Sequence, residues 1–149
     1  MLKQLSIYAE NKKGALQTMT NALYEAGINI WGSVTNDGAE YGINRMVVSD
    51  PDKAKEVLTE KGYLCRFVDV LAVEIEDKPG ALNTLLTALL DSNVNVDYTY
   101  LSFNRDSSTP VMILHTADPE EVEICLRAKG FKMVYHMSPC KIKNKSHLS

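Results

Sequence analysis

Leu5, Ile7 and Ala9 alternate with Ser6, Tyr8 and Glu10, and Leu71, Val73 and Ile75 alternate with Ala72, Glu74 and Glu76. A period of two is the mark of a strand with one buried face. Behind each run the period changes. Leu16, Met19, Thr20, Leu23 and Tyr24 stand at i, i+3, i+4, i+7 and i+8, as do Leu82, Leu85, Leu86, Leu89 and Leu90, which predicts two amphipathic helices. Gly27 and Asn93 follow them as residues suited to a left-handed C-terminal cap. Two strands joined by a polar turn come next, at 28–36 and 42–49, then at 94–103 and 110–116. Asp50-Pro51 and Asp118-Pro119 announce short helices, with a capping side chain ahead of a proline at the first helical position. Those helices carry Ala54, Val57 and Leu58, and Val122, Cys125 and Leu126, on one face. Final strands are expected near 63–68 and 131–137.

The pattern occurs twice because the sequence does. Glu10-Asn11-Lys12-Lys13-Gly14-Ala15-Leu16 aligns with Glu76-Asp77-Lys78-Pro79-Gly80-Ala81-Leu82, an offset of 66 (76 − 10) that also carries Gly27-Ile28-Asn29-Ile30 onto Asn93-Val94-Asn95-Val96. Asp50-Pro51 matches Asp118-Pro119 and Gly62-Tyr63 matches Gly130-Phe131 at an offset of 68 (118 − 50). The two extra residues belong in the polar hairpin Asn104–Thr109, which faces Asn36-Asp37-Gly38-Ala39 in the first copy.

The order β-α-β-β-α-β, read twice, predicts an α+β fold of two ferredoxin-like units. Each has an antiparallel sheet with its helices on one face. The units are 1–69 and 70–138, with a polar tail at 139–149. One unit of this size has a marginal core and exposed sheet edges. No linker separates the copies, since Tyr63–Leu71 runs almost continuously strand-like. The units are therefore expected to pack rigidly side by side and to join their edges into a larger sheet, within the chain, between two chains, or both.

Composition narrows the function. The net charge is −3, which gives no global attraction to nucleic acid. The basic Lys141–Lys145 stretch reads as a solvated end. No apolar run approaches the roughly 20 residues of a membrane span, and the N-terminus does not read as a signal peptide. Cys65, Cys125 and Cys140 form no C-x-x-C pair, so a reducing cytoplasm is expected, without disulfides, metal or cofactor. His115, His136 and His147 are scattered and read as structural or surface residues. No nucleophile–base pair, paired carboxylates or phosphate loop is present, so the chain reads as no enzyme.

One constellation stands out, the turn between the first strand and first helix. Gly14 and Gly80 open helices whose first amides lack intrahelical partners, an arrangement that favours an anion such as a carboxylate. Asn11 and Asp77, just before, can reach the opposite polar end of a zwitterion. Asn29 and Asn95 recur between apolar neighbours at the start of the second strand, although asparagine is depleted in strands. That strand start is expected to return close to the glycine turn.

A βαββαβ unit with Asn11-Lys12-Lys13-Gly14-Ala15-Leu16 or Asp77-Lys78-Pro79-Gly80-Ala81-Leu82 opening its first helix, then Gly27-Ile28-Asn29-Ile30 or Asn93-Val94-Asn95-Val96, resembles the ACT domain in both copies. The resemblance implies binding of a free amino acid at interfaces between paired units, between the turn of one and strand residues of its neighbour. Carried over, the site residues are Asn11, Gly14, Ala15, Leu16 and Asn29, and Asp77, Gly80, Ala81, Leu82 and Asn95; their neighbours Lys12, Ile30 and Val96 are further candidates, and Trp31 is either core or interface filler or a wall against the ligand side chain. It implies a regulatory homodimer acting on an enzyme or another regulator. Serine-type recognition is not expected, because Ala9 and Ile75 stand where some such members carry histidine. The copies differ at Lys13/Pro79, Asn11/Asp77 and Trp31/Asp97, so two sites of unequal affinity are expected. The competing reading is a ferredoxin-like module that binds a protein or another small ligand without sensing amino acids. Tyr100 and Phe103 would suit a nucleic-acid face, but the acidic balance opposes it.

Overall fold

A computed structural model describes residues 1–36 and 41–137; the Asp37-Gly38-Ala39 turn and the 139–149 tail lie outside the described residues. The first unit comprises β1 (Leu2–Glu10), α1 (Ala15–Glu25), β2 (Ile30–Asn36), β3 (Tyr41–Val48) and α2 (Pro51–Glu60). β4 (Leu64–Glu74) belongs to both units, and α3 (Ala81–Asp91), β5 (Tyr98–Asn104), β6 (Thr109–His115), α4 (Pro119–Ala128) and β7 (Lys132–Met133) complete the second. The punctuation behaves as its chemistry requires. Gly27 and Asn93 end α1 and α3 at φ 71° and 57°, and the Asp50 carboxylate accepts the Lys53 amide at 3.1 Å. Asp118, its counterpart, makes no such cap.

The larger sheet forms through one shared strand. The strand order is β2-β3-β1-β4-β6-β5, with β7 beside β4. Leu64–Val70 of β4 pair with Leu2–Tyr8 of β1, and from Leu71 the same strand pairs with β6. Side-chain alternation persists through the handover. Cys65 and Phe67 face the core under α1 and α2, and Leu71 and Val73 face the core under α3 and α4. Val68, Val70 and Ala72 point the other way, into a third core between the two helix-free sheet faces. The result is four layers, helix–sheet–sheet–helix. β7 is shorter than the strand expected there: after two paired residues the chain leaves the ladder, and Val134 and Met137 cover this middle core.

The helix stripes are only half used. α1 buries Met19, Ala22 and Leu23 while Leu16 and Tyr24 are exposed, and α3 buries Leu85 and Leu89 while Leu82, Leu86 and Leu90 face outward. A periodic stripe wider than the sheet beneath it leaves its flank uncovered.

The middle core contains a polar hub. Gln4 is fully buried; its amide donates to Tyr98 Oη at 2.8 Å and its carbonyl accepts from Tyr100 Oη at 2.7 Å. Burial pushes the Tyr100 hydroxyl well above the usual phenol range, so it stays a donor. Arg45 from β3 lies 4.1 Å from the centre of the Tyr98 ring, and His115 stacks on that ring at 4.9 Å. Ser102 donates to the Trp31 carbonyl at 2.6 Å. Gly32 permits this approach, since a Cβ there would sit 3.2 Å from Ser102 Cβ.

Gln4→Leu strands two phenol hydroxyls between the sheets and is expected to lower stability by about 2–4 kcal/mol in denaturant unfolding. Adding Tyr98→Phe and Tyr100→Phe to it is expected to recover most of that loss. A triple variant no more stable than Gln4→Leu alone would contradict the hub.

Candidate ligand site at the glycine turns

The two β–α turns have one geometry. Gly14 has φ 84° and ψ −3°, and Gly80 has φ 86° and ψ −6°, a left-handed conformation that strains residues with a Cβ. Neither helix receives a side-chain cap and neither has an acid in its first turn, whereas α2 and α4 carry acids there. The turn uses one donor itself: the Ala15 amide bonds the Lys12 carbonyl at 3.1 Å and that of Ala81 the Lys78 carbonyl at 3.3 Å. The amides of the next residues precede the first intrahelical donors, Thr18 and Thr84. Lys12 pairs with Glu10 at 3.2 Å, and Lys78 pairs with Glu76 likewise.

Asn11, Lys12, Gly14, Ala15 and Leu16 line one cavity of about 340 Å³ together with Thr35, Gly42 and Asn44. The strand directions explain this company. β3 runs antiparallel to β1, so Tyr41 lies opposite Glu10, and Asn44 pairs with Thr35 near the end of β2. Asn44 is only 4% exposed; its amide donates to Thr35 Oγ1 at 2.7 Å, and its carbonyl accepts from Ser33 Oγ at 3.4 Å. A second cavity, about 690 Å³, opens on the other side of the turn between Tyr8, Tyr41, Tyr63 and the lysines Lys12, Lys13 and Lys61.

The same directions send other residues elsewhere. Ile30, the first residue of β2, pairs with Val48 at the far end of β3. A helix crossover must do this, because α1 carries the chain back along the full length of the strand. The expectation that the start of β2 returns to the glycine turn is thus not met within a unit. Asn29 exchanges hydrogen bonds with Ser49, its amide donating to the hydroxyl and its carbonyl accepting the Ser49 amide, each at 2.9 Å. Ile30 packs against the core under α1 and α2, and Trp31 against the core between the sheets. Asn95 donates to Asp97 at 3.3 Å, and Val96 packs under α3 and α4.

In the second unit, Ala81 lines a cavity of about 410 Å³ with Glu74, Lys78, Thr109, Phe131 and Lys132, the counterpart of the one lined by Tyr8 and Lys61. Asp77, Gly80 and Leu82 are exposed at the same turn. Where the first unit has Thr35 and Asn44, the second has Leu101 and Met112, opposite each other in the same register. Its wall is therefore apolar. Around the larger cavity of the first unit, three lysines meet one glutamate, Glu10; in the second, Lys78 and Lys132 are balanced by Glu74 and Glu76.

Thr35, Asn44 and Tyr41 escaped the sequence reading. The signal was available in Asn44, an asparagine among strand formers whose equivalent is a methionine.

Comparison with known proteins agrees with this geometry. The family model described as an ACT domain pair matches residues 1–138. The solved structure of protein BT0572 from Bacteroides thetaiotaomicron is similar at 30% identity and a TM-score of 0.82, over 89% of this chain and 91% of that one. The ligand-free regulatory subunit of aspartate kinase from Thermus thermophilus shares the fold at 18% identity and a TM-score of 0.62, over 85% of this chain and 88% of that one. The corresponding subunit from Thermus flavus does so at 20% identity and a TM-score of 0.57, over 86% and 91%. No protein of curated function matches the sequence. With both units covered by one family model and the same turn in each, the chain belongs to the ACT domain pair family.

Proposed function

We propose that the chain is a non-catalytic regulatory module that binds a free amino acid at the glycine turn of its first unit. The observation that carries this reading is an uncapped helix N-terminus opening on a cavity whose far wall is the buried Asn44 bonded to the exposed Thr35. The α-carboxylate meets the first amides of α1, with Lys13 adding positive potential. The α-ammonium is held by the side-chain carbonyls of Asn11 or Asn44, and Leu16 and Met19 cover the side chain. The second unit, with Leu101 and Met112 in that wall, is a poor host for a zwitterion.

Regulation follows from the strands that frame the cavity. β1 and β3 present Ala9 and Asn44 to it, and Gln4 and Arg45 to the second unit. A ligand that orders one face of these strands bears on the contact made by the other. Fold likeness to the regulatory subunits of aspartate kinase from the two Thermus species supports a regulatory role by analogy. Among the described residues no three metal-ligating side chains assemble and no helix is long and apolar enough to cross a membrane; the proposal needs no cofactor or metal and has the chain act in the cytoplasm on a partner enzyme or regulator. It includes a homodimer through α3 and the edge strand β5, where Leu82, Leu86, Leu90, Leu101 and Phe103 are exposed.

In a thermal-shift screen of the twenty amino acids, one or a few are expected to raise the melting temperature. A ligand at 100 times its dissociation constant adds about 2.7 kcal/mol, or roughly 5–10 °C for a chain of this length. No shift with any amino acid would sink the reading. Asn44→Met installs the residue the second unit folds with, so it is expected to keep the fold and weaken binding by about tenfold or more; undiminished binding would move the site away from this wall. Light scattering is expected to give twice the mass of one chain, falling to one with Leu101→Lys, and a monomeric wild type would remove the dimer.

A further inference from the structure

The cavity beside Gly14 owes its room to two small residues on its floor. Ala9 and Gly42 lie opposite each other on β1 and β3, and both line the cavity together with Leu16, Met19 and Asn44. The aligned residues of the second unit are Ile75 and Pro110. They meet on the same framework, the Ile75 amide donating to the Pro110 carbonyl at 3.0 Å. Ile75 packs against the core under α3 and α4, and Pro110 is buried. The second unit thus fills this floor with side chains, and the first leaves it open.

The backbone accounts for only one of the two small residues. A Cβ on Gly42 would sit 3.3 Å from the Asn36 carbonyl oxygen, so the β2–β3 hairpin itself favours glycine there. Ala9 lies within a strand, where a β-branched residue such as the isoleucine of the second unit packs better. Alanine at this position gives up apolar burial that the same fold uses in its other copy.

We infer that the Ala9–Gly42 floor selects the ligand of the first turn by its side chain, and that this ligand is an aliphatic or thioether amino acid, of the class of valine, leucine and methionine. The inference rests on the reading of that turn as an amino-acid site. With the α-carboxylate on the first amides of α1 and the α-ammonium on an asparagine carbonyl, the side chain is left to the floor, Leu16 and Met19. Met19 is fully buried and Leu16 is half exposed, so an apolar side chain seated there extends the core and shields Leu16 from water. A charged side chain would meet no free counter-ion, because the charged residues lining this cavity, Glu10 and Lys12, pair with each other at 3.2 Å. Burying an unpaired charge against Ala9 and Met19 is costly. The volume of about 340 Å³ lies at the small end of ligand pockets, which favours these side chains over aromatic ones.

Calorimetric titration of the full chain with alanine, valine, leucine, methionine, aspartate and lysine tests this. Affinity is expected to rise by about tenfold or more from alanine to leucine or methionine, with aspartate and lysine weakest. Ala9→Ile, which installs the residue the second unit folds with, is expected to cost leucine and methionine about tenfold or more while alanine stays within about twofold. Ala9→Val is expected to fall between. A merely structural effect of these substitutions would weaken alanine and leucine alike, and that result would overturn the inference. Aspartate or lysine binding best, or leucine keeping its affinity in Ala9→Ile, would overturn it too. Those results leave the amino-acid site standing, whereas a chain that binds no amino acid at all loses the site and its selectivity together.

Discussion

Everything in this molecule hangs on β4. Its eleven residues close the first sheet and open the second without a break in pairing or in alternation. Odd positions serve the two helix-covered cores and even positions serve the core between the sheets. No flexible joint exists at which the units could separate. Once β4 bends, the helix-free faces must be buried against each other, because a bare sheet face of this size in water would forfeit the apolar burial that keeps so small a unit folded. The glutamine–tyrosine hub then sets the register of that contact, since buried polar groups tolerate few alternative alignments.

The duplication preserved the framework and let the linings diverge. Both glycine turns have the same backbone angles and the same uncapped helix. Yet one unit places Thr35 and Asn44 beside its turn, and the other places Leu101 and Met112. At the opposite end the contrast reverses, with Trp31, Val48 and Lys53 in the first unit against Asp97, Thr116 and Glu121 in the second. The polar chemistry of each unit thus lies at a different end of the same scaffold. Of the aligned differences on which the expected inequality rests, Trp31/Asp97 belongs to this contrast, and Thr35/Leu101 and Asn44/Met112 add to it.

Periodicity and punctuation carried most of the fold. Gly27 and Asn93 end their helices as expected, and the near-continuous strand character of Tyr63–Leu71 foretold a junction without a linker. What periodicity encodes is a face, not an end of a strand. Asn29 and Asn95 were therefore assigned to the glycine turn, when the crossover through α1 or α3 carries each strand start to the other end. Nor does a period say what covers a face: Leu82, Leu86 and Leu90 share the helical stripe of Leu85 and Leu89 but lie beyond the sheet. Trp31 was legible as apolar, but its place between two sheets depends on a packing of units that no local pattern encodes.

The central claim is that one unit of the pair holds the ligand. Isothermal titration of the full chain with the amino acid that stabilises it tests this most directly, through the stoichiometry. One molecule bound per chain is the predicted result. Two equivalent sites per chain would contradict it, because Asn44 and Met112 would then be interchangeable.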